Sequence, residues 1–264
     1  MTGSPVGDDL VATLRAAGCV FAEDEARLLQ AQARTPTELA LLTRRRVAGE
    51  PLEHVLGWAE FAGLRVAVEP GVFVPRHRSE FLVDQAVAAA PAARVVVDLC
   101  CGTGAIGAAL LQRLGDRQDG AVELHAGDVD PVAVRCARRT LAERGEVHQG
   151  DLYAALPASL RGRVDLLVAS TPYVPSNAVR LLPPEAREHE PLVALDGGAD
   201  GLDVVRRLIA EAPAWLAPTG VVAVETSAEQ APTAREALTA AGLVADVRVD
   251  DDAECVAVLG RLGH

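Results

Sequence analysis

The chain has 264 residues and no lysine; all 25 of its lysine-plus-arginine positions are arginine. A lysine Schiff base and a P-loop lysine are therefore excluded, and codon bias is the plain explanation of the arginine usage. Basic charge is scarce overall. Against 37 acidic residues the net charge is −12, which argues against a broad nucleic-acid footprint, since that needs a basic face. A small molecule or a protein is left as partner. Cysteine shows no framework: Cys19, Cys100, Cys101, Cys136 and Cys255 are odd in number and no two stand at CxxC spacing. That pattern suits a reducing cytoplasm. The opening MTGSPVGDDL lacks the apolar stretch of a signal peptide, and no apolar run reaches the ~18 residues of a membrane span. No GxSxG elbow is present, and His54, His77, His125, His148, His189 and His264 show no metal-ligand spacing. Neither a hydrolase of that type nor a metal centre is expected.

What is present is apolar. Half of the residues are hydrophobic, enough for a sizeable core, and the length suits one large domain alone or with a small one. Residues 6 to about 50 carry apolar side chains at helical spacing. Thr35-Pro36-Thr37-Glu38 is a helix start with a cap, a first-turn proline and a capping-box acid. Arg44, Arg45 and Arg46 fall late in that helix and are expected on a solvated face. From Trp58 to Pro75 the pattern alternates and reads as a hairpin linker, with Ser79 expected to cap the next helix. The predicted division is a helical unit at 1–57, a linker at 58–78 and an α/β domain at 79–264.

Beyond residue 79, strand and helix signals alternate. RVVVDL, AVELHAGD, EVHQGD, VDLLVAS and GVVAVET read as strands, with helices between them and a long loop from about 170 to 200. VADVRV and ECVAVLG close the chain with no helix between them, so one of them is expected to be antiparallel. The whole predicts a doubly wound, mainly parallel sheet of seven strands.

Ligands of such sheets bind beyond the carboxyl ends of the strands. The first strand runs into Asp98-Leu99-Cys100-Cys101-Gly102-Thr103-Gly104, the second ends at Asp128 and the third at Asp151 followed by Leu152. Gly102 and Gly104 permit a sharp turn against a ligand. Asp128 is placed for ribose hydroxyls, and Asp151 for an adenine or for its own loop. Gly102, Gly104 and Gly107 also satisfy GxGxxG, so a dinucleotide-dependent dehydrogenase competes. Asp98 tilts the choice: a carboxylate there opposes a pyrophosphate but suits an ammonium and a sulfonium. Three carboxylates in register point to S-adenosyl-L-methionine rather than NAD.

The fourth strand ends in Ser170-Thr171-Pro172-Tyr173. With HVLGWAEFAGLRV, VPRHRSEFL, VVDLCCGTGAIG, GDVDPVAV, GDLY, STPYVP and EHEPLVALDGGADGLDVVRRL, the chain resembles the HemK-like release-factor glutamine methyltransferases over nearly its whole length. The resemblance implies a class I, Rossmann-like methyltransferase domain that binds S-adenosylmethionine, and an N-terminal helical domain that holds the acceptor. Family members usually carry Gly at Cys100, Asn-Pro-Pro-Tyr at 170–173 and an aromatic at Leu152. In the family the Asn oxygen and a backbone carbonyl accept the N–H bonds of a glutamine amide; Ser170 offers a single hydroxyl instead.

The substitution leads to the expectation of a changed acceptor: a nitrogen or electron-rich carbon of a small metabolite, such as an indole-type ring. The alternative is a release-factor glutamine. A cofactor-binding protein without catalysis and the dehydrogenase are the remaining readings. Ser170, Thr171, Pro172 and Tyr173 are the expected acceptor contacts, and Glu185, Glu190 and His189 the candidate bases, with Glu190 alternatively ordering its loop. The N-terminal helices would offer a face for a homodimer.

Overall fold

The structure, a computed structural model, describes residues 5–115, 121–250 and 255–263; His264 lies outside them. Four helices open the chain, α1 (Pro5–Ala16), α2 (Ala22–Gln32), α3 (Pro36–Val47) and α4 (Leu52–Leu56). Their inward residues, among them Leu14, Leu29, Leu42 and Val55, form a separate apolar cluster. At the start of α3, Thr35 accepts the Glu38 N–H at 3.1 Å, and the Glu38 carboxylate reaches back to the Arg34 N–H at 2.8 Å.

The arginines that end α3 do not form a solvated face. Arg44 is exposed, but Arg45 is held by Glu50 at 2.6 Å and by the His54 carbonyl at 3.1 Å. Arg46, only 12% exposed, lies between Glu25 at 2.6 Å and Glu185 at 2.8 Å. The last turn of α3 packs where acids of two other segments converge, and a guanidinium satisfies both at once.

The hairpin pairs β1 (Trp58–Phe61) with β2 (Leu64–Ala67). Ala62 and Gly63 both adopt positive φ, 52° and 74°, the two-residue turn that follows strand twist. Helix α5 (Ser79–Ala89) comes next. Ser79 does not cap it: Arg78 occupies that position, and the Ser79 hydroxyl instead donates to Glu225 at 2.6 Å.

The remaining elements are β3 (Val95–Leu99), α6 (Ala105–Gly115), β4 (Glu123–Asp128), α7 (Pro131–Leu141), β5 (Glu146–Gln149), β6 (Val164–Ala169), α8 (Pro184–His189), α9 (Asp203–Glu211), β7 (Leu216–Thr226), α10 (Ala231–Ala240), β8 (Leu243–Asp250) and β9 (Cys255–Leu262). Seven strands form one sheet in the order β5-β4-β3-β6-β7-β9-β8. Only β9 runs against its neighbours, so the antiparallel strand is the last one. Val96, Leu166 and Val221 face one core layer while Val97, Leu167 and Val222 face the other. Burial on both faces is why these strands read as unbroken apolar runs.

Apolar residues continue to Leu216, but helix α9 stops at Glu211, where Ala212–Ala214 tightens around Pro213; a proline cannot continue the hydrogen-bond ladder. The long loop after β6 holds the short helix α8. Among the described residues, no helix is long and apolar enough to cross a membrane. The sheet order reverses at β3, so the tips of β3 and β6 part and leave a crevice at the switch point.

Candidate active site

A cavity of about 1120 Å³ fills that crevice and runs on to the N-terminal helices. Cys100, Cys101, Gly102, Thr103, Asp128, Asp151, Leu152, Ser170, Thr171, Pro172, Tyr173, Glu185 and Glu190 line it; Asp98 and Gly104 do not. Gly104, at φ +74°, turns its α-carbon toward α7, where a Cβ would meet Ala137 Cβ at 3.2 Å. It permits a helix contact rather than a ligand contact.

Asp98 departs further from expectation. It is wholly buried on the α6 face of β3, where Oδ2 accepts the Gly107 N–H at 2.9 Å and Oδ1 has no partner. It holds the first turn of α6 instead of facing the ligand. Burial pushes its carboxyl from the ordinary 3.8 up to about 7, and the charge of Asp128 adds to the rise. Between those two values the folded chain keeps a proton that the unfolded chain has released. The contribution of Asp98 to stability therefore falls as pH rises from about 3.8 to about 7 and levels off above. Asp98→Asn is expected to flatten this slope, read as the difference in chemical-denaturation midpoint between variant and wild type at pH 4.5, 6 and 8.

Asp128 stands at the cavity wall with each oxygen holding one backbone N–H, from Gly102 and from Asp130, both at 2.9 Å. Burial raises its carboxyl pKa. Each oxygen keeps a lone pair, the arrangement that two vicinal hydroxyls satisfy. Asp151 is exposed and ion-paired with Arg207 at 2.5 Å. Cys100 and Leu152 adopt positive φ, 57° and 47°, a conformation in which a side chain costs about 1–2 kcal/mol.

The acceptor side rests on residues the sequence reading did not single out. Glu225, at the end of β7 and 2% exposed, accepts from Ser79 Oγ at 2.6 Å and Ser170 Oγ at 3.2 Å on the same oxygen. Its other oxygen lies 3.5 Å from Arg78 Nε, and Arg78 also donates to the Tyr173 hydroxyl. Glu225 is an acid that closes a strand, the same signal that marked Asp98, Asp128 and Asp151. Burial, with the nearby Glu225 charge, pushes the Tyr173 phenol up to about 12, so it stays a neutral wall. The Tyr173 carbonyl accepts from Gln230 Nε2 at 2.8 Å, and so does the Asp200 carbonyl at 2.9 Å. Gly197 and Gly201 press against this loop: a Cβ would stand 2.6 Å from the Pro172 oxygen and 2.2 Å from the Tyr173 oxygen, respectively.

The two acidic candidate bases are both committed to arginine. Glu190, with its side chain 1% exposed, accepts from Arg76 at 2.7 Å and from the Val74 N–H at 3.2 Å, tying the hairpin linker to the loop. Glu185 pairs with Arg46. His189 lies near Gly49, with Nε2 4.0 Å from where a Cβ would be.

The wall around the glycine turn offers Asp128, Asp130 and Asp151, and Arg207, which lines that end among the described residues, is paired with Asp151. That donor set fits a ribose on a cationic ligand and offers nothing for a pyrophosphate beyond backbone N–H groups.

Residues 63–181 match the Methyltransferase small domain family model. A release factor glutamine methyltransferase of Geobacter sulfurreducens is 41% identical over 201 residues, 75% of this chain and 69% of that protein. The chain belongs to the HemK-like release factor glutamine methyltransferase family. It is an S-adenosylmethionine-dependent methyltransferase, and the dehydrogenase reading falls. Another relative of this methyltransferase, the 4-amino-L-phenylalanine/4-methylamino-L-phenylalanine methyltransferase of Streptomyces pristinaespiralis, is 37% identical over 195 residues, 71% of this chain and 64% of that protein. The chain shares its class I fold with a T. thermophilus 16S rRNA methyltransferase solved with AdoMet and guanosine, at TM-score 0.55 and 19% identity over 78% of this chain and 50% of that one.

Proposed function

We propose that the chain methylates a nitrogen that carries N–H, and that its acceptor is the side-chain amide of a glutamine presented by a protein of the release-factor class. The observation that carries this reading is the pair of serine hydroxyls committed to one oxygen of Glu225. A hydroxyl whose proton is already donated can only accept toward the cavity. Ser170 thus takes an N–H bond where the family uses an asparagine oxygen, and Ser79 stands beside it as a second acceptor. Such acceptors suit an N–H nucleophile better than a ring carbon.

Asp128 would hold the ribose of S-adenosylmethionine, with Cys100, Cys101, Gly102 and Thr103 along its methionine side and Asp151 and Leu152 at the adenine. The bound sulfonium supplies an electrophilic methyl carbon. Pro172 and Tyr173 wall the acceptor, and Ser170 aims the nitrogen lone pair along the line of displacement, an orientation worth up to ~7–11 kcal/mol in favourable systems. Transfer of that methyl to the nitrogen would require the nitrogen to give up a proton. The N–H···Ser170···Glu225 chain gives that proton a path: Ser170 oxygen receives it while its own passes to the Glu225 carboxylate. The protein acceptor is supported by the reach of the cavity from the strand tips to Phe21, Leu28 and Leu52 of the helical unit.

A second reading, an aromatic amine of a small metabolite, is favoured by the loss of the asparagine and by the relative named for an aminophenylalanine. Methyl transfer from labelled S-adenosylmethionine, assayed against a purified release factor and against 4-aminophenylalanine, separates the two. Label on a release-factor glutamine, found by peptide mass spectrometry, is the expected result; label on the arylamine alone transfers the conclusion to the second reading.

A further inference from the structure

We propose that the chain carries a metal site apart from the methyl-transfer cavity: a zinc-class divalent cation held at the edge of the sheet by His125 Nδ1, His148 Nε2 and Glu146 Oε2. These three atoms form a compact triangle, with His125 Nδ1 3.0 Å from His148 Nε2 and Glu146 Oε2 3.7 Å from each nitrogen. Tetrahedral zinc with bonds of about 2.0–2.2 Å places neighbouring donors roughly 3.3–3.5 Å apart. Small side-chain movements convert the observed triangle into that one.

The geometry follows from strand pairing. In the parallel ladder of β4 and β5, His125 stands opposite Glu146 and Gly127 opposite His148. Side chains alternate along a strand, so residues 125, 146 and 148 share a face. Imidazole and carboxylate together are the donor set that zinc takes readily.

A further contact fixes the proton. His125 Nε2 lies 3.1 Å from Glu123 Oε1, and a carboxylate only accepts, so Nε2 carries the hydrogen and Nδ1 presents its lone pair to the other two donors. A carboxylate behind a histidine is the usual support of a metal-binding imidazole. Access is graded: the side chains of His125, His148 and Glu146 are 6%, 20% and 70% exposed. The cation would be anchored from within, with its remaining position open to water on the Glu146 side.

None of the three residues lines the cavity. The four-residue edge strand β5 leads directly into Gly150, Asp151 and Leu152, which do. A cation here pins that strand to β4 and so steadies the nucleoside end of the site.

The test uses the full chain, stripped with chelator and titrated with Co²⁺, then Zn²⁺, against a chromophoric competitor. The expected result is one equivalent of Co²⁺ with the visible bands of a tetrahedral N/O site and no sulfur charge-transfer band, displaced by Zn²⁺. His148→Ala is expected to weaken Zn²⁺ at least about 100-fold. Glu123→Gln, which touches no metal, is expected to weaken it about 10-fold. S-adenosylhomocysteine binding checks that each variant is folded. Wild-type affinity no better than millimolar, a thiolate spectrum, or undiminished binding in folded His148→Ala each overturns the proposal.

Discussion

Glu225→Gln is expected to lower kcat by about 10²-fold or more while S-adenosylhomocysteine binds as before. The glutamine keeps the shape of the side chain and one acceptor oxygen but loses the charge that draws the Ser79 and Ser170 protons. It can also point an NH₂ group at those hydroxyls, reversing them so that they no longer accept from the nucleophile. Removal of a positioned proton acceptor costs 10²–10⁴ in typical cases. Ser170→Ala removes the middle link. It is expected to lose about 1–3 kcal/mol of transition-state stabilisation, or roughly one to two orders of magnitude in rate. Since both changes interrupt one chain, the double variant should be little worse than Glu225→Gln alone; groups that act as a unit are strongly non-additive. Single-turnover rates of the three variants check this. Multiplicative losses would mean that Glu225 and Ser170 act separately and that no relay joins them.

Gly201→Ala is expected to abolish most turnover by moving the acceptor loop. The glycine sits at φ +81°, and a Cβ would stand 2.2 Å from the Tyr173 oxygen and 2.3 Å from Gln230 Nε2. The new carbon therefore meets a backbone carbonyl and the amide that holds it, so the carbonyl must shift. The left-handed conformation alone costs about 1–2 kcal/mol for a residue with a Cβ. Displacing Tyr173 adds a loss of alignment, for which a misplacement of ~1 Å can cost 10²-fold. Gly162→Ala is the control: φ is +70°, but nothing lies within 4 Å of the new carbon. It should lower the melting temperature by a few degrees without changing kcat. Equal activities of the two variants would show that the 197–201 loop does not set the position of Tyr173.

The fold was legible because both faces of the sheet are covered, so strands appear as apolar runs of five or six residues and the connecting helices as amphipathic ones. The end of each strand was legible too, through the acids that close it. What those acids do was not. Asp98 and Asp128 look alike in the sequence, yet one turns into the α6 layer and the other faces the cavity, because Asp98 is level with Ala126 inside the sheet whereas Asp128 stands at the end of its strand. Glu225 carries the same mark, but its partners Ser79 and Ser170 lie 146 and 55 positions away, and no local spacing announces such a meeting. The arginines of α3 failed for the same reason: helical periodicity places them on a face but does not say that Glu25 and Glu185 arrive there. His125 and His148 escaped a search for ligand spacing because they meet across parallel strands, where separation along the chain is set by the crossover helix.

Arg46 also bears on how a bulky substrate gets in. Its guanidinium joins Glu25 of α2 to Glu185 of α8; moving α8 away would break the Glu185 pair while Arg46, on α3, keeps Glu25. One ion pair thus ties the N-terminal helices to the loop after β6. An acceptor protein either reaches the cavity past this tie with its reactive side chain protruding or displaces Glu185 as it enters.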